Sequence, residues 1–360
     1  MRILFDHQIF MLQKYGGISR YFANLNASLN NTSGVSSELA LLYTHNYFVK
    51  ERAYLSQTAG GFLLKKERKL NKWNKRYSEL KISKNEFDVF HPTYYDPYFL
   101  DKIKKPFVVT VHDMIHEMYP EYFPFDEHTA HFKRRLFEKA DHLIAISEST
   151  KKDLQLIYNI KGDKISVIHH GYQISNDEEN AFEPPLSDYI LFVGDRTKYK
   201  NFNKFIDAIV PLMNRNPDIG LICAGGGVFQ IVEQELLLRK KISNVMQISA
   251  NDEELKILYR KALVFVYPSL AEGFGLPILE AFANACPTIV SDISPFREIA
   301  GLACAYFNPN DVEDMSNQIE KVIYSSEAGH QLRNAGGIQL KQFSLGECVE
   351  KTIKVYQSLS

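Results

Sequence analysis

The sequence predicts an α/β protein built from two doubly wound parallel sheets. Short apolar runs rich in Val, Ile and Phe alternate with longer helical patterns along most of the chain, which is typical of parallel sheets covered by helices. The alternation is interrupted once, by the polar and acidic segment 172–188 with its Pro-Pro pair. Because 360 residues exceed what one hydrophobic core usually serves, we expect two domains.

The predicted strands fall into two groups, one on each side of this polar segment. They are 2–5, 39–43, 88–91, 107–112, 142–147 and 165–171 before it, and 189–194, 219–227, 245–249, 263–269 and 287–292 after it. We therefore place an N-terminal domain at 1–172, a linker at 173–188 and a C-terminal domain at 189–342. Ligands of open parallel sheets bind beyond the carboxyl ends of the strands, so residues directly after these runs are the functional candidates.

The composition excludes several classes of protein. With a formal net charge of −1 and 24% charged residues, the chain has no global charge bias towards nucleic acid. The opening "MRILFDHQIF" carries Asp6 and His7 where a signal peptide needs an apolar core, and no apolar run approaches the length of a membrane span. The cysteines form no Cys-x-x-Cys pair, which suits a reducing compartment. We expect a cytoplasmic protein.

The stretch "EGFGLPILEAF" over 272–282 carries the strongest local signal. A glycine-rich turn precedes Pro277, which is a natural first-turn residue of a helix. Free amides and the positive end of the helix favour an anion such as a phosphate. The turn supplies the candidate binding residues Gly273, Phe274, Gly275 and Leu276.

Two acids flank this turn. Glu280 falls about one turn inside the helix among apolar neighbours, where an unpaired carboxylate is costly, so the vicinal hydroxyls of a ribose suit it. Glu272, in the loop before the turn, can reach the hydroxyls of a second sugar. The alternative is that Glu280 is an exposed acid favoured by the helix dipole and Glu272 an ordinary surface residue.

The loop "FVGDRTKYKNF" over 192–202 supplies two cations, Arg196 and Lys200, directly after a predicted strand. Two cations at a strand end suit a diphosphate, because each charge-assisted hydrogen bond to an anion contributes about 1.5–3 kcal/mol. An ordinary basic loop remains the alternative.

Two further candidates lie in the first half of the chain. The Gly16–Gly17 pair opens the first long helical pattern, where backbone amides can cradle a phosphate or an acceptor, although the Gly-x-Gly-x-x-Gly fingerprint is absent. His112 follows a predicted strand, as either a structural histidine or a member of the site. His112 and His116 do not form His-Glu-x-x-His, and the chain has no Asp-x-Asp, so we expect no metal and no other cofactor.

Residues 62–84 predict a basic amphipathic helix. Nine cations and two acids accompany an apolar stripe, made of Leu63, Leu70, Trp73, Tyr77 and Leu80. Such a helix can rest on anionic lipid headgroups, which would place the protein peripherally on the inner face of the cytoplasmic membrane. The alternative is a solvated helix that packs on its own domain through the stripe.

Together these segments resemble the retaining glycosyltransferases of group 1, family 4. The similarity rests on "GGISRYF" (16–22), "VTVHD" (109–113), "ISESTKKDL" (146–154), "FVGDRTKYKNF" (192–202), "EGFGLPILEA" (272–281) and "SDISPFREIAG" (291–301), which occur in the family's order. It implies a GT-B fold, in which two Rossmann-like domains face each other across a deep cleft. In that fold the last helix, here within 343–360, crosses back to the N-terminal domain.

The resemblance also implies roles for the candidates. His112 lies beside the transferred sugar, Glu272 and Glu280 contact the donor sugar and the ribose, and Arg196 and Lys200 bind the diphosphate. The implied catalytic set is therefore His112, Arg196, Lys200 and Glu272. Gly17 matches the N-terminal glycine loop. Apart from the resemblance, we expect the base and the sugar to be selected near Ser249 to Asn251 and Phe274. Two departures from the family are His169–His170 in place of Pro-Asn, and the position of Arg196 two residues after Gly194.

The implied reaction is the transfer of a hexose from a sugar nucleotide to a sugar hydroxyl of a growing or lipid-linked glycan, with the anomeric configuration retained. The closest branch by motif is that of the bacterial mannosyltransferases of surface polysaccharide such as O-antigen, so GDP-mannose is the expected donor, with a UDP-sugar as the other choice. No well-placed carboxylate nucleophile stands at the strand ends, which favours a front-face mechanism. Because the chain has no Asp-x-Asp, we expect the mechanism to be metal-independent. A sugar-nucleotide epimerase of the same fold and a non-catalytic nucleotide-sugar-binding scaffold in a membrane-associated assembly are the alternatives.

Overall fold

A computed structural model of the chain describes residues 1–55, 67–124, 128–173 and 181–360. The chain divides into two compact units, one formed by Met1–Gly171 with Leu345–Ser360 and the other by Tyr172–Ser344. Every strand pair in both units is parallel, as the sequence pattern predicts. Most of the predicted linker, 174–180, lies outside the described residues.

The first unit holds six of the strands. They are β1 (Arg2–Phe5), β2 (Ser36–Leu39), β3 (Val89–His91), β4 (Val108–Val111), β5 (His142–Ala145) and β6 (Ile165–Val167), in the orders β2-β1-β3 and β4-β5-β6. A single parallel bridge between Phe90 and Phe107 joins the two sets. The helices of this part are α1 (Gln8–Leu12), α2 (Gly17–Asn30), α3 (Glu67–Lys84), α4 (Ile115–Met118), α5 (Thr129–Lys139) and α6 (Glu148–Tyr158).

The second predicted strand is wrong in its position. We expected it at 39–43, whereas β2 pairs Ser36–Leu39 with Arg2–Phe5 in register. Beyond Leu39 no residue of β1 remains for the chain to pair with. The amides of Leu42 and Tyr43 instead donate to Asn74 Oδ1 at 2.8 and 3.2 Å. The strand ends where its neighbour ends, although the apolar run continues.

The second unit carries one six-stranded parallel sheet in the order β12-β11-β10-β7-β8-β9. Its strands are β7 (Tyr189–Val193), β8 (Gly220–Ala224), β9 (Val245–Ile248), β10 (Val264–Tyr267), β11 (Thr288–Ser291) and β12 (Ala305–Phe307). Between and after them lie α7 (Phe202–Arg215), α8 (Ile231–Arg239), α9 (Asp252–Lys261), α10 (Leu276–Ala283), α11 (Ser294–Ala300), α12 (Val312–Tyr324) and α13 (Ser326–Leu340). The short edge strand β12 was missed by the sequence pattern.

The last helix, α14 (Leu345–Gln357), belongs to the first unit, where Cys348, Val349 and Tyr356 enter its core. A buried histidine fastens it there. His91 Nδ1 lies 2.7 Å from the hydroxyl of Tyr356, and His91 Nε2 lies 2.9 Å from Thr110 Oγ1. Burial lowers the pKa of His91 from 6.5 to about 3, so the ring is neutral at physiological pH.

We expect this histidine to make the stability of the first unit depend on pH. Because the pKa of His91 is lower in the folded than in the unfolded chain, only the unfolded chain takes up its proton as pH falls below 6.5. The free energy of unfolding should then fall by at most about 1.4 kcal/mol per pH unit. Urea unfolding between about pH 7.5 and pH 5 should show a shallower dependence in His91→Gln. The same change at the exposed His330 should leave the slope unaltered.

The basic helix is present as α3, but a different face is buried. Leu70 is buried, whereas Trp73 and Leu80 are 48% and 53% exposed. The packed face carries Asn74 and Ser78, which are fully buried and bond the chain after β2, Ser78 Oγ donating to Ala40 O at 2.7 Å. The alternative in which the helix packs through the whole stripe is therefore wrong, because Trp73 and Leu80 are exposed and the packed face is partly polar. Leu63 lies outside the described residues. No helix in the described ranges has the length and apolar character to cross a bilayer.

Candidate donor site and buried histidine

The order of strands in the second unit marks a position for a ligand. The chain runs outward from β7 through β8 to β9, then returns to the other side of β7 with β10, β11 and β12. At such a reversal of strand order, ligands are expected to bind in a crevice beyond the carboxyl ends of the two adjacent strands, here β7 and β10. The loops after these strands carry Lys200 and Glu272.

Lys200 and Glu272 form an ion pair at this position. The distance from Lys200 Nζ to Glu272 Oε1 is 2.6 Å, and the two side chains are 17% and 12% exposed. A backbone hydrogen bond of 2.7 Å from Leu270 N to Tyr199 O ties the two loops together. Two residues that are 72 apart in sequence thus meet where the strand order predicts a ligand.

Tyr267, the last residue of β10, contacts this pair. Its hydroxyl lies 3.5 Å from Lys200 Nζ. Burial, followed by the charge of Glu272 and a hydrogen bond to it, raises the pKa of Tyr267 well above 10.0, so the phenol remains protonated. The crevice consequently holds one cation, one carboxylate and one neutral donor within a few ångströms.

Glu280 lies on α10 and is half-buried. Its Oε2 accepts a hydrogen bond of 3.2 Å from the hydroxyl of Tyr259. Asp252, the first residue of α9, is a close neighbour that sequence reasoning missed: burial and then the charge of Glu280 raise the pKa of Asp252 to about 6. Glu280 thus has an acidic neighbour and a tyrosine donor, an arrangement suited to a hydroxyl-rich ligand.

The glycine turn before α10 takes the expected form. Gly275 caps the helix in the left-handed region with φ of 113°, and a Cβ there would lie 3.0 Å from the Phe296 ring. Gly273 is buried, Leu276 begins the helix, and the ring of Phe274 is buried against Phe343 at 5.9 Å. Phe274 therefore acts as a packing residue of the turn in this structure.

Ser269, next to the turn, was not singled out from the sequence. It is fully buried, and its Oγ has no hydrogen-bond partner within the described part of the chain. Buried hydroxyls are usually hydrogen-bonded, so this one, two residues after the end of β10, is unusual and indicates a polar partner such as water or a ligand.

Arg196 belongs to the same loop as Lys200, but its side chain is buried against other partners. Its side chain is 1% exposed and is paired with Glu233 through a bond of 2.9 Å from Nε to Oε1. The guanidinium also donates to the carbonyl of Gly225 at 2.9 Å and to that of Gly227 at 2.8 Å. Arg196 and Lys200, which the sequence predicted to bind one diphosphate together, thus have separate partners.

Ser249 directly follows β9, at the edge of the sheet and two strands away from β7. It is exposed, and its Oγ lies 3.4 Å from Gln247 Nε2. The next element, α9, begins at Asp252, which is close enough to Glu280 for that charge to add to the effect of burial on the Asp252 pKa.

In the first unit, His112 follows β4 and is 5% exposed. Neither of its ring nitrogens has a hydrogen-bond partner among the residues that the structure describes. Aromatic rings surround it: Tyr21 and His170 each lie 5.7 Å away between ring centroids. Burial lowers the pKa of His112 to about 3, so the ring is neutral. A neutral imidazole with both nitrogens unused is suited to a ligand hydroxyl, as donor or acceptor.

Gly17 is the first residue of α2, as predicted, and Gly16 is its N-cap. The amide of Ser19 is bound by the side chain of Gln13 at 3.2 Å. Because Tyr21 of the same helix contacts His112, the start of α2 and the buried histidine lie at one edge of this unit's sheet. Gly17 is exposed there, so its amide is accessible.

A buried lysine fixes the turn after His112. Lys133, whose side chain is 1% exposed, donates to Asp113 Oδ1 and to Glu117 Oε2, both at 3.2 Å. Burial opposes ionisation of Asp113, but the Lys133 charge prevails and lowers the pKa of the carboxyl. On the other side, the amide of His112 donates to the hydroxyl of Tyr95 at 3.0 Å. Sequence reasoning missed Lys133, since nothing in a helical pattern marks a buried cation.

Two family profiles match consecutive parts of the chain. The profile described as "Glycosyltransferase Family 4" matches residues 15–176, and the one described as "Glycosyl transferases group 1" matches residues 174–338. They cover both of the units described above.

Two of the similar proteins are named as mannosyltransferases of O-antigen chains. An O-antigen chain mannosyltransferase, RfbU, of Salmonella typhimurium is 31% identical over 59% of this chain and 60% of its own length. O-antigen chain mannosyltransferase B of Escherichia coli is 27% identical over 75% of this chain and 74% of its own length. The chain therefore spans 60% of the first of these relatives.

Solved structures show the same fold at lower identity. Sucrose-phosphate synthase of Thermosynechococcus elongatus superposes with a TM-score of 0.75 at 17% identity, covering 99% of this chain and 98% of that one. HepE of Anabaena, solved with UDP and glucose, gives 0.74 at 15% identity over 100% of both chains. These glycosyltransferases have the GT-B fold, which is the fold class that the sequence predicted. With both profiles matched in order, the chain belongs to the group 1, family 4 glycosyltransferases.

Proposed function

We propose that the protein transfers a mannosyl residue from a sugar nucleotide to a sugar hydroxyl of a growing or lipid-linked glycan, with retention of the anomeric configuration. The observation that carries the proposal is the Lys200–Glu272 pair at the crevice between the ends of β7 and β10. A cation beside a carboxylate provides partners for a diphosphate and for sugar hydroxyls, the two ends of the bond that is broken.

Lys200 is the residue proposed to meet the diphosphate. In the structure its ammonium is held by Glu272, so its position is fixed before any donor binds. A preorganised cation stabilises the charge that develops on a departing diphosphate and needs no rearrangement during the reaction. Metal independence is part of the proposal, because a lysine at this position can take the charge-neutralising role that a divalent ion would otherwise have.

The proposed sugar contacts are Glu272 and His112, with Glu280 on the ribose. A neutral His112 can bond a hydroxyl of the transferred sugar without adding charge near the anomeric carbon. Front-face displacement then breaks the bond to the diphosphate while the acceptor oxygen attacks from the same side, and the leaving phosphate accepts the acceptor's proton. This step requires donor and acceptor to be held in register.

Mannose is proposed because the two relatives reported above are mannosyltransferases of O-antigen chains. Thermal unfolding in the presence of GDP-mannose, GDP-glucose, UDP-glucose and UDP-GlcNAc tests this choice. A ligand present at about 100 times its dissociation constant stabilises the folded protein by about 2.7 kcal/mol. We expect the largest rise in Tm with GDP-mannose. A larger rise with either UDP-sugar would contradict the proposed donor.

Product analysis separates the proposal from the alternatives. With donor alone we expect only slow hydrolysis, and with a mannose-terminated acceptor we expect a new α-linkage by NMR. Conversion of the donor to its epimer without acceptor would instead show an epimerase. Nucleotide binding without transfer to any of a panel of lipid-linked acceptors would show a binding scaffold.

Peripheral membrane contact is the second part of the proposal. The exposed face of α3, defined by Lys69, Lys72, Trp73, Arg76 and Leu80, combines cations with two large apolar side chains. The Arg76 guanidinium lies 5.5 Å from the Trp73 ring centre. Cations flanking exposed Trp and Leu side chains are typical of helices that bind an anionic lipid surface.

Trp73 is the only tryptophan of the chain, so its fluorescence reports this contact directly. We expect a blue shift with vesicles that contain phosphatidylglycerol, a weaker one at high salt, and none with pure phosphatidylcholine. Lys72→Gln should lower the partition coefficient about fivefold, since one cation near the surface contributes about 1 kcal/mol. Leu156→Ser, at another exposed leucine of the same unit, is the matched control. Equal binding to both kinds of vesicle would contradict the electrostatic contact.

A further inference from the structure

The loop after β8 has an unusual backbone. Gly225, Gly226 and Gly227 all lie in the left-handed region, with φ of 83°, 68° and 70°. A Cβ on Gly226 would lie 2.7 Å from both Arg196 Nη1 and Gly194 O. The conformation is therefore restricted to glycine at this position, and the loop abuts the turn after β7 that leads to Lys200.

The carbonyl groups of this loop converge on one side chain. Arg196 donates to the carbonyl oxygens of Gly225, Gly226, Gly227 and Val228 at distances between 2.8 and 3.3 Å. Its guanidinium also stacks on Phe229, 4.7 Å from the ring centre. Four successive carbonyls directed at one buried cation leave the loop little freedom to change conformation.

Glu233 completes the arrangement. It binds Nε and Nη2 of Arg196 at 2.9 and 3.3 Å and accepts from the amide of Gln230 at 2.7 Å. Gln230 and Glu233 form the capping box that begins α8, so one carboxylate fixes both the helix start and the arginine. Glu233 is 9% exposed and Arg196 is 4% exposed, so water does not screen the charges of the pair.

This geometry determines where the amides of the loop point. In a trans peptide the C=O and the following N–H point in opposite directions. Since the carbonyls face Arg196, the amides of Gly226, Gly227 and Val228 face away from it. These three residues are exposed, and none of their amides has an acceptor in the described part of the chain. Successive outward amides at a turn form a site for anionic oxygens.

We propose that Arg196 and Glu233 are positioning residues, which hold the Gly225–Val228 loop so that its amides bind phosphate oxygens of the sugar nucleotide. The inference rests on the proposed function, because it assigns a second subsite to the same donor. It differs from a direct contact between Arg196 and the diphosphate, since here the arginine acts through the backbone of the loop.

Three variants distinguish the two roles. The probe is GDP or UDP, whichever binds the wild-type protein, with affinity measured by calorimetry. We expect Arg196→Gln and Glu233→Gln each to weaken binding about tenfold, and the double variant to be no weaker, because both changes release the same loop. A direct role predicts instead that Glu233→Gln leaves affinity unchanged or increased, since it frees the guanidinium.

Kinetics supply a readout that a purely structural defect would not give. We expect Arg196→Lys and Gly226→Ala to raise the donor KM about tenfold with kcat nearly unchanged, because a loop that binds the ground state and the transition state equally affects only KM. Lysine keeps the charge but lacks the planar fork, so retention of affinity in Arg196→Lys would overturn the inference. Lys240→Gln, which removes a cation next to the end of α8, should change neither constant.

Gly226→Ala also covers the case in which the charge variants fail to fold, because it removes neither charge of the Arg196–Glu233 pair. Wild-type affinity in a folded Gly226→Ala protein would overturn the inference and leave the proposed function intact. A wild-type protein that binds neither GDP nor UDP would overturn both.

Discussion

Lys200→Ala is expected to lower turnover by about 10²–10³ at saturating donor. In the structure the ammonium lies 2.6 Å from Glu272 at the strand ends where the donor is proposed to bind. Its removal deprives the departing diphosphate of a fixed positive charge, and the loss therefore falls on kcat. Single-turnover kinetics with the preferred donor measure it.

Two companion variants make this test specific. Lys200→Arg keeps the charge and should restore part of the activity, whereas Lys198→Ala removes an exposed cation of the same loop and should be neutral. The folded state is checked by thermal unfolding, because Lys200→Ala leaves the partly buried Glu272 without its cation. Full turnover in a folded Lys200→Ala protein would exclude Lys200 as the diphosphate ligand.

Lys133→Met is expected to destabilise the first unit by about 3–5 kcal/mol. The ammonium is buried with Asp113 and Glu117, so its removal leaves two carboxylates without a cation in a poorly solvated position. Because Asp113 lies next to His112, the defect should also reduce activity at temperatures where the protein remains folded. Urea unfolding followed by tyrosine fluorescence and circular dichroism measures the loss.

The double variant Lys133→Met with Glu117→Gln should recover part of the lost stability, since it removes one of the unpaired charges. Arg135→Met, at an exposed position of the same helix, should change the free energy of unfolding by less than about 0.5 kcal/mol. If Lys133→Met were as stable as Arg135→Met, the buried ion cluster would contribute nothing to the fold.

Local sequence signals were sufficient for much of the fold. The period of the apolar runs located β1, β3 to β6 and β7 to β11, and the glycine turn before Pro277 located the start of α10. Two of the failures share a cause, which is that the hydrogen-bonding partner is distant in sequence. The second strand was displaced because its limits are set by β1, and the buried face of α3 was misjudged because Asn74 bonds amides at Leu42 and Tyr43.

The sequence alone determined the parallel α/β architecture, the family, and the positions of Lys200, Glu272, Glu280 and His112, because strand periodicity and short motifs are local properties of the chain. Only the tertiary structure decided which of these groups meet. Lys200 is paired with Glu272, whereas Arg196 is turned into the protein towards Glu233, 37 residues away. That choice depends on which strands are neighbours in the sheet and on which charges become buried together, and neither property is encoded in any single segment.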